Sequence, residues 1–189
     1  MLFVTCQTDY TGKQLHDWVV ESSNGLNQKV ENEAFIWEVQ YEPLDYMIAK
    51  ESKGKELTKK EYEAVKARKE GLQYFKIKVQ SKTTGNILNN IPAQQQENEW
   101  RLQYFLDEFD KDILLIENGD TLVSSLYHFE RNYGALNHNN IIVAFKANKQ
   151  ISDKNILFLD RVFGLGLQEV TFKKEDLEKI PTLKINNTL

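Results

Sequence analysis

The chain is short of cysteine, proline and methionine, and it has no long apolar run. Of its 189 residues one is Cys, three are Pro and two are Met. A single Cys excludes an intrachain disulfide and any metal site built on paired Cys-x-x-Cys units. No apolar stretch approaches the ~18 residues of a membrane-crossing helix, and the mean hydropathy is −0.54. Basic charge is also in short supply: the formal net charge of −4 argues against a nucleic-acid binder, which needs a basic surface. Chemical signatures are equally scarce. There is no HExxH, GxSxG or DxDxDG pattern. Gly164-Leu165-Gly166 lacks the third glycine of a dinucleotide-binding turn.

What remains is enough for one folded domain with a sizeable core. Aromatics make up 11% of the residues, which a disordered chain would lack. Phe35, Trp37, Val39 and Tyr41 alternate with Ile36, Glu38 and Gln40, and Phe75, Ile77 and Val79 alternate with Lys76 and Lys78, so both runs predict half-buried strands. The stretch 141–147, IIVAFKA, reads as a central strand. The runs NILFLDRVFG and LQEVTFK read as a strand pair around Gly164 and Gly166, and TLKI closes the chain as a further strand. Asn118-Gly119, between DILLIE and DTLVSSLYHF, predicts a type I′ hairpin over Ile113–Phe129. The core is expected to hold Trp37, Val39, Ile77, Val79, Ile142, Val143, Phe145 and Phe172.

Helical signals are short. Leu15, Trp18 and Val19 sit at i, i+3, i+4. Pro43 opens LDYMIAKES, with a stripe at Leu44, Met47 and Ile48. Thr58 and Glu61 form a capping box for a lysine-rich helix that Gly71 ends. KKEDLEKIP is a helical turn. WRLQYFLDEF (100–109) fits either period, and its aromatics favour a strand. The expected fold is therefore α+β, predominantly antiparallel β, a sandwich or rolled sheet with short peripheral helices in the N-terminal half. Residues 1–13 read as a tether or signal remnant and residues 14–189 as a single globular domain.

Cys6 admits two readings. It is incidental to an edge strand or tail opened by Leu2, Phe3 and Val4, or it is the acylated cysteine of a lipoprotein signal, followed by the polar QTDYTGKQ. Phe3 and Thr5 depart from the usual residues of that signal, and no basic stretch precedes it.

Charge is unevenly placed. Between Lys50 and Lys82 eleven Lys/Arg face five Asp/Glu, while between Glu97 and Glu130 nine acidic residues face two basic. Solvated faces explain both runs, and the basic one also suits anionic lipid headgroups or an acidic partner. His128 and Glu130 share one strand face. With His138 they would supply a two-His, one-carboxylate metal set if the three converged. The alternative is a structural polar cluster with Arg131. Asp120, Ser124 or Ser125, and His128 lie too close along a hairpin to act as a hydrolytic triad.

The runs DILLIENGDTLVSSLYHFERNYG, NNIIVAFK and FLDRVFGLG…FKKEDLEKIP, together with VQYEPLDYMIAKE, resemble a group of uncharacterised Bacteroidetes, in particular flavobacterial, lipoproteins. The resemblance spans roughly the last half of the chain and transfers no catalytic residue. It implies a cell-envelope lipoprotein, held to the membrane if Cys6 is acylated. The missing motifs give no cofactor to expect, and the partner expected is an unknown protein or saccharide. The expectation is thus a non-catalytic, envelope-located structural or interaction module. The alternatives are an enzyme or metal-dependent binding protein with a site near His128, Glu130 and His138, and a cytoplasmic location.

Overall fold

The computed structural model describes residues 9–83, 87–88, 95–132 and 135–186. Its elements run β1 (Asp9–Tyr10), α1 (Gly12–Val20), β2 (Asn27–Glu31), β3 (Phe35–Glu42), α2 (Leu44–Glu51), α3 (Lys59–Lys69), β4 (Leu72–Ser81), α4 (Gln95–Asp107), β5 (Ile113–Glu117), β6 (Asp120–Val123), β7 (Leu126–Glu130), β8 (His138–Lys146), β9 (Lys154–Asp160), β10 (Gly166–Phe172), α5 (Lys174–Leu177) and β11 (Thr182–Leu183). Two antiparallel sheets carry the fold, ordered β2-β3-β4-β8-β7 and β10-β9-β5-β6. A short parallel pair, β1-β11, joins the two ends of the described chain. The class is α+β, mainly antiparallel β, as the strand patterns imply.

Period-two alternation sets the core. In the larger sheet Trp37 lies opposite Val79, Val39 opposite Ile77, and Ile77 opposite Ile141, all buried on one face. Ile113, Leu115, Ile156, Phe158, Val170 and Phe172 of the smaller sheet are buried in the same core. The two layers meet through rings: Trp37 lies 5.0 Å from Phe158, and Phe75 lies 5.5 Å from Phe172.

Three expectations need correction here. Residues 100–109 are not a strand: they lie in α4 and the turn after it. Arg101, Tyr104, Phe105 and Phe109 are the buried set, spaced i, i+3, i+4, i+8 as a helix requires. This helix is not peripheral, since the Phe105 ring packs 5.4 Å from Phe129 and 6.2 Å from Trp37. Ile142 is not core. It is half-buried on the outer face, because Ile141, Val143 and Phe145 take the inward positions of β8. The hairpin is also shorter than Ile113–Phe129. It ends at Val123, and the chain crosses at Ser124-Ser125 to the larger sheet, where Ser125 N–H donates to the Ala144 carbonyl at 2.8 Å.

The boundary near residue 13 lies inside the fold. Asp9 and Tyr10 pair with Thr182 and Leu183. Thr11 caps α1, its hydroxyl accepting from Gln14 N–H while the Gln14 side chain accepts from Thr11 N–H. The Thr58–Glu61 capping box of α3 is formed in the same way.

The turn at Asn118-Gly119 has φ of +54° and +82°, as a type I′ turn demands. A Cβ at Gly119 would meet nothing within 4 Å, so substitution there acts through the backbone alone. Gly119→Val is expected to lower stability by about 1–3 kcal/mol. Gly119→Asn should be much milder, because Asn tolerates positive φ. Equal chemical-denaturation midpoints for the two variants would refute the turn.

Candidate functional site

The face of the larger sheet turned away from the core carries His128, Glu130 and His138. Cross-strand register places Lys29, Glu38, Lys78, Asn140 and Glu130 in one row. Within it Lys78 pairs with Glu38 at 3.3 Å, and Asn140 donates to the Glu130 carboxylate at 2.9 Å. His128 lies opposite Ile142, four residues along β8 from His138. At about 3.3 Å per residue that sets the two imidazoles' backbones roughly 13 Å apart. Among the described residues no three His, Cys, Asp or Glu side chains gather to hold a metal. Burial and the Lys78 ammonium hold His138 below its ordinary pKa. The His128 side chain is exposed. Glu130 is therefore tied to Asn140, and the metal geometry is not assembled. Cys6 lies outside the described residues.

A different set of side chains comes together at one end of the sandwich. Glu117 and Lys154 are opposed across β5 and β9 and form an ion pair with side chains 0% and 7% exposed. The other sheet reaches across to them. Gln73 donates to the second Glu117 oxygen at 2.8 Å and to the Lys146 carbonyl at 2.9 Å, and Ser152 donates to Glu117 at 3.1 Å. The Lys154 ammonium stands 5.8 Å from the centre of the Tyr41 ring. Burial, reinforced by the Glu117 charge, pushes the Tyr41 hydroxyl up to about 12.

Above this pair opens a cleft of about 270 Å³, with walls from 41–45, 148–154 and 177–182. Its ionisable groups are already engaged. Asp45 accepts from the Tyr62 hydroxyl and from Leu183 N–H, both at 2.7 Å. Glu178 lies 3.6 Å from Lys174, and Lys154 is committed to Glu117. The wall is apolar at Pro43, Leu44, Ile151 and Ile180, and the rim offers the neutral amides of Asn148 and Gln150. Ile151 is 51% exposed. Such a cavity has the shape and chemistry to hold a small neutral group by packing, with amides at hand for a few hydrogen bonds.

Sequence reasoning missed this site. Its one available signal was the charge at inward positions: Glu117 follows Ile113 and Leu115 in phase, and Lys154 precedes Ile156 and Phe158 in phase. The Asp160-Arg-Val-Phe-Gly segment, which the glycine pattern could not explain, is a turn organiser. The Asp160 carboxylate accepts from the N–H groups of Val162, Phe163 and Leu165 at 2.8–2.9 Å. No family model, no curated protein and no solved structure matches the chain.

Proposed function

We propose that the chain is a non-catalytic interaction module of the cell envelope, lipid-anchored through Cys6, whose cleft above the Glu117–Lys154 pair holds an apolar side chain of a partner protein. The observation that carries the binding role is the engagement of every ionisable group in the cleft. Lys154 is neutralised by Glu117, Asp45 is doubly hydrogen-bonded, and Tyr41 stays protonated at neutral pH. General acid–base work needs a group whose pKa lies near the operating pH and whose proton is free to move. The cleft instead offers shape, apolar walls and neutral donors.

A protein side chain suits it better than a sugar. A sugar ring stacks on a bare aromatic face, and Tyr41 has Phe75 at 5.2 Å, Phe172 at 6.2 Å and the Lys154 ammonium against it. The envelope location is supported by Cys6 with its polar follow-on sequence and by the lipoprotein-like runs in the second half of the chain.

Two measurements test the reading. Expressed in its host, the protein should enter the detergent phase, and Cys6→Ala should move it to the aqueous phase. Unchanged partitioning removes the anchor. In an NMR titration, N-acetyl-leucinamide should shift the amides of Leu44, Ile151 and Ile180, while maltose should not. Shifts from maltose alone would replace the protein partner by a saccharide, and shifts from neither would remove the cleft from function.

A further inference from the structure

The basic segment 50–82 divides sharply once its ion pairs are known. Lys50 pairs with Glu42, Lys66 with Glu63, Arg68 and Lys69 with Glu51, Lys78 with Glu38, and Lys82 with Glu31. Among the described residues Lys53, Lys55, Lys59 and Lys60 form no ion pair. All four are exposed. Lys76 of β4, half-buried, also has no ion pair among the described residues, and the exposed unpaired charge of the segment is concentrated in the α2–α3 connection and the first turn of α3.

Those positions are locally unfavourable. Lys59 and Lys60 open α3, where the helix dipole disfavours cations. Lys53 holds a φ of +53°, a conformation uncommon outside Gly and Asn. A charge set maintained against local preference calls for a use outside the fold.

The same connection lies beside the start of the described chain. Gly12 sits against Gly54, a Cβ at Gly12 lying 3.4 Å from the Gly54 Cα. Lys184 N–H donates to the Tyr10 carbonyl at 2.7 Å, and Asn186 N–H donates to the Leu57 carbonyl at 2.8 Å. β1, β11 and the entry to α3 therefore form one pole, beside which Lys13 of α1 is paired with Asp17 at 2.5 Å. Three residues after Cys6 the chain reaches Asp9, and three residues span at most about 10 Å. A lipid on Cys6 would hold this pole at the membrane surface, and the charge there is complementary to anionic headgroups.

Resting on the anchor reading above, we infer that the pole formed by Lys53, Lys55, Lys59 and Lys60 lies on anionic phospholipid headgroups and fixes the orientation of the domain on the bilayer. Juxtamembrane lysines are attracted to anionic leaflets over about a Debye length. Lipid and basic patch act as two signals, the acyl chains giving residence and the lysines giving orientation.

The test uses the unlipidated Cys6→Ala protein, so that the lysines are read alone. It is sedimented with vesicles of 30% phosphatidylglycerol in phosphatidylcholine, and with pure phosphatidylcholine, at low salt. The expected result is binding to the anionic vesicles only. Lys53→Glu/Lys59→Glu/Lys60→Glu should weaken it at least tenfold with an unchanged circular dichroism spectrum. Lys29→Glu/Lys111→Glu/Lys146→Glu, elsewhere in the fold, should leave it within twofold. Equal binding to both vesicle types, no binding to either, or an unaffected triple variant at the pole would overturn the inference. Loss of the anchor reading would appear separately, as wild-type protein that stays out of the detergent phase.

Discussion

Trp37→Ala is expected to lower stability by about 3–5 kcal/mol, the range for removing a large buried aromatic. Trp37 is fully buried and its ring centre lies 5.0–6.2 Å from those of Phe158, Phe109, Phe105 and Phe163. Those four rings come from the second sheet, from α4, and from the turns after α4 and β9. Alanine thus opens a cavity where both sheets and the helix meet, and no single element can collapse to fill it. For a domain of this size each kcal/mol moves the thermal midpoint by about 2–4 °C, so a fall on the order of 10 °C should be seen by differential scanning calorimetry. Trp37→Phe should be far milder. It keeps a ring in the site, and it removes an indole N–H that has no hydrogen-bond partner, a group whose burial costs about 1–3 kcal/mol. An alanine variant that melts within about 3 °C of wild type would show that this aromatic centre is not the core.

The Glu117–Lys154 pair should give the second large effect. Lys154→Met leaves a carboxylate in a site with no solvent exposure of its side chain. Breaking a buried pair from one side costs about 3–5 kcal/mol. Gln73 and Ser152 still donate to Glu117 in that variant, which softens the loss without supplying a countercharge. Glu117→Leu strands the ammonium beside the Tyr41 ring, with a similar penalty. The double variant, Glu117→Leu/Lys154→Met, should recover much of what either single change loses, because neither charge then remains to be solvated. A double-mutant cycle from denaturation in urea measures this directly. Additive losses, with the double variant the least stable of the four proteins, would mean that the two charges are not coupled.

How far the sequence carried these conclusions differs from element to element. Strands β3, β4 and the β5–β6 turn were legible because one residue pattern outweighed the others: period-two alternation through most of FIWEVQY and YFKIKVQ, and Asn-Gly chemistry at 118–119. Residues 100–109 satisfied two periods at once, and the choice was settled by which faces found partners, Phe105 and Phe109 against Trp37. Ile142 could not be placed from a continuous apolar run, since IIVAF says that both faces are apolar without saying which faces the core. The cleft was invisible for a different reason. Its walls come from three separate segments, the first of them about a hundred residues from the other two, and the opposition of Glu117 and Lys154 depends on a strand register that composition does not encode. The His128, Glu130 and His138 grouping failed on distance: a shared face is legible from parity, but convergence along a strand is not.

The short parallel pair β1–β11 has a consequence for the order of assembly. The Thr182 hydroxyl donates to the Asp9 carboxylate across a sequence separation of 173 residues, and Leu183 N–H donates to Asp45. During synthesis Asp9 and Tyr10 emerge long before Thr182 and Leu183, the strand they join. Contacts of such long separation pay their loop-closure entropy last and slow folding. The clasp between the ends therefore forms after the two sheets. Until it does, the Tyr10 carbonyl, which accepts from Lys184, and the Asp45 oxygen that takes Leu183 N–H both wait for their donors. Before that step the protein has both sheets and still lacks the seam that ties β1 to β11.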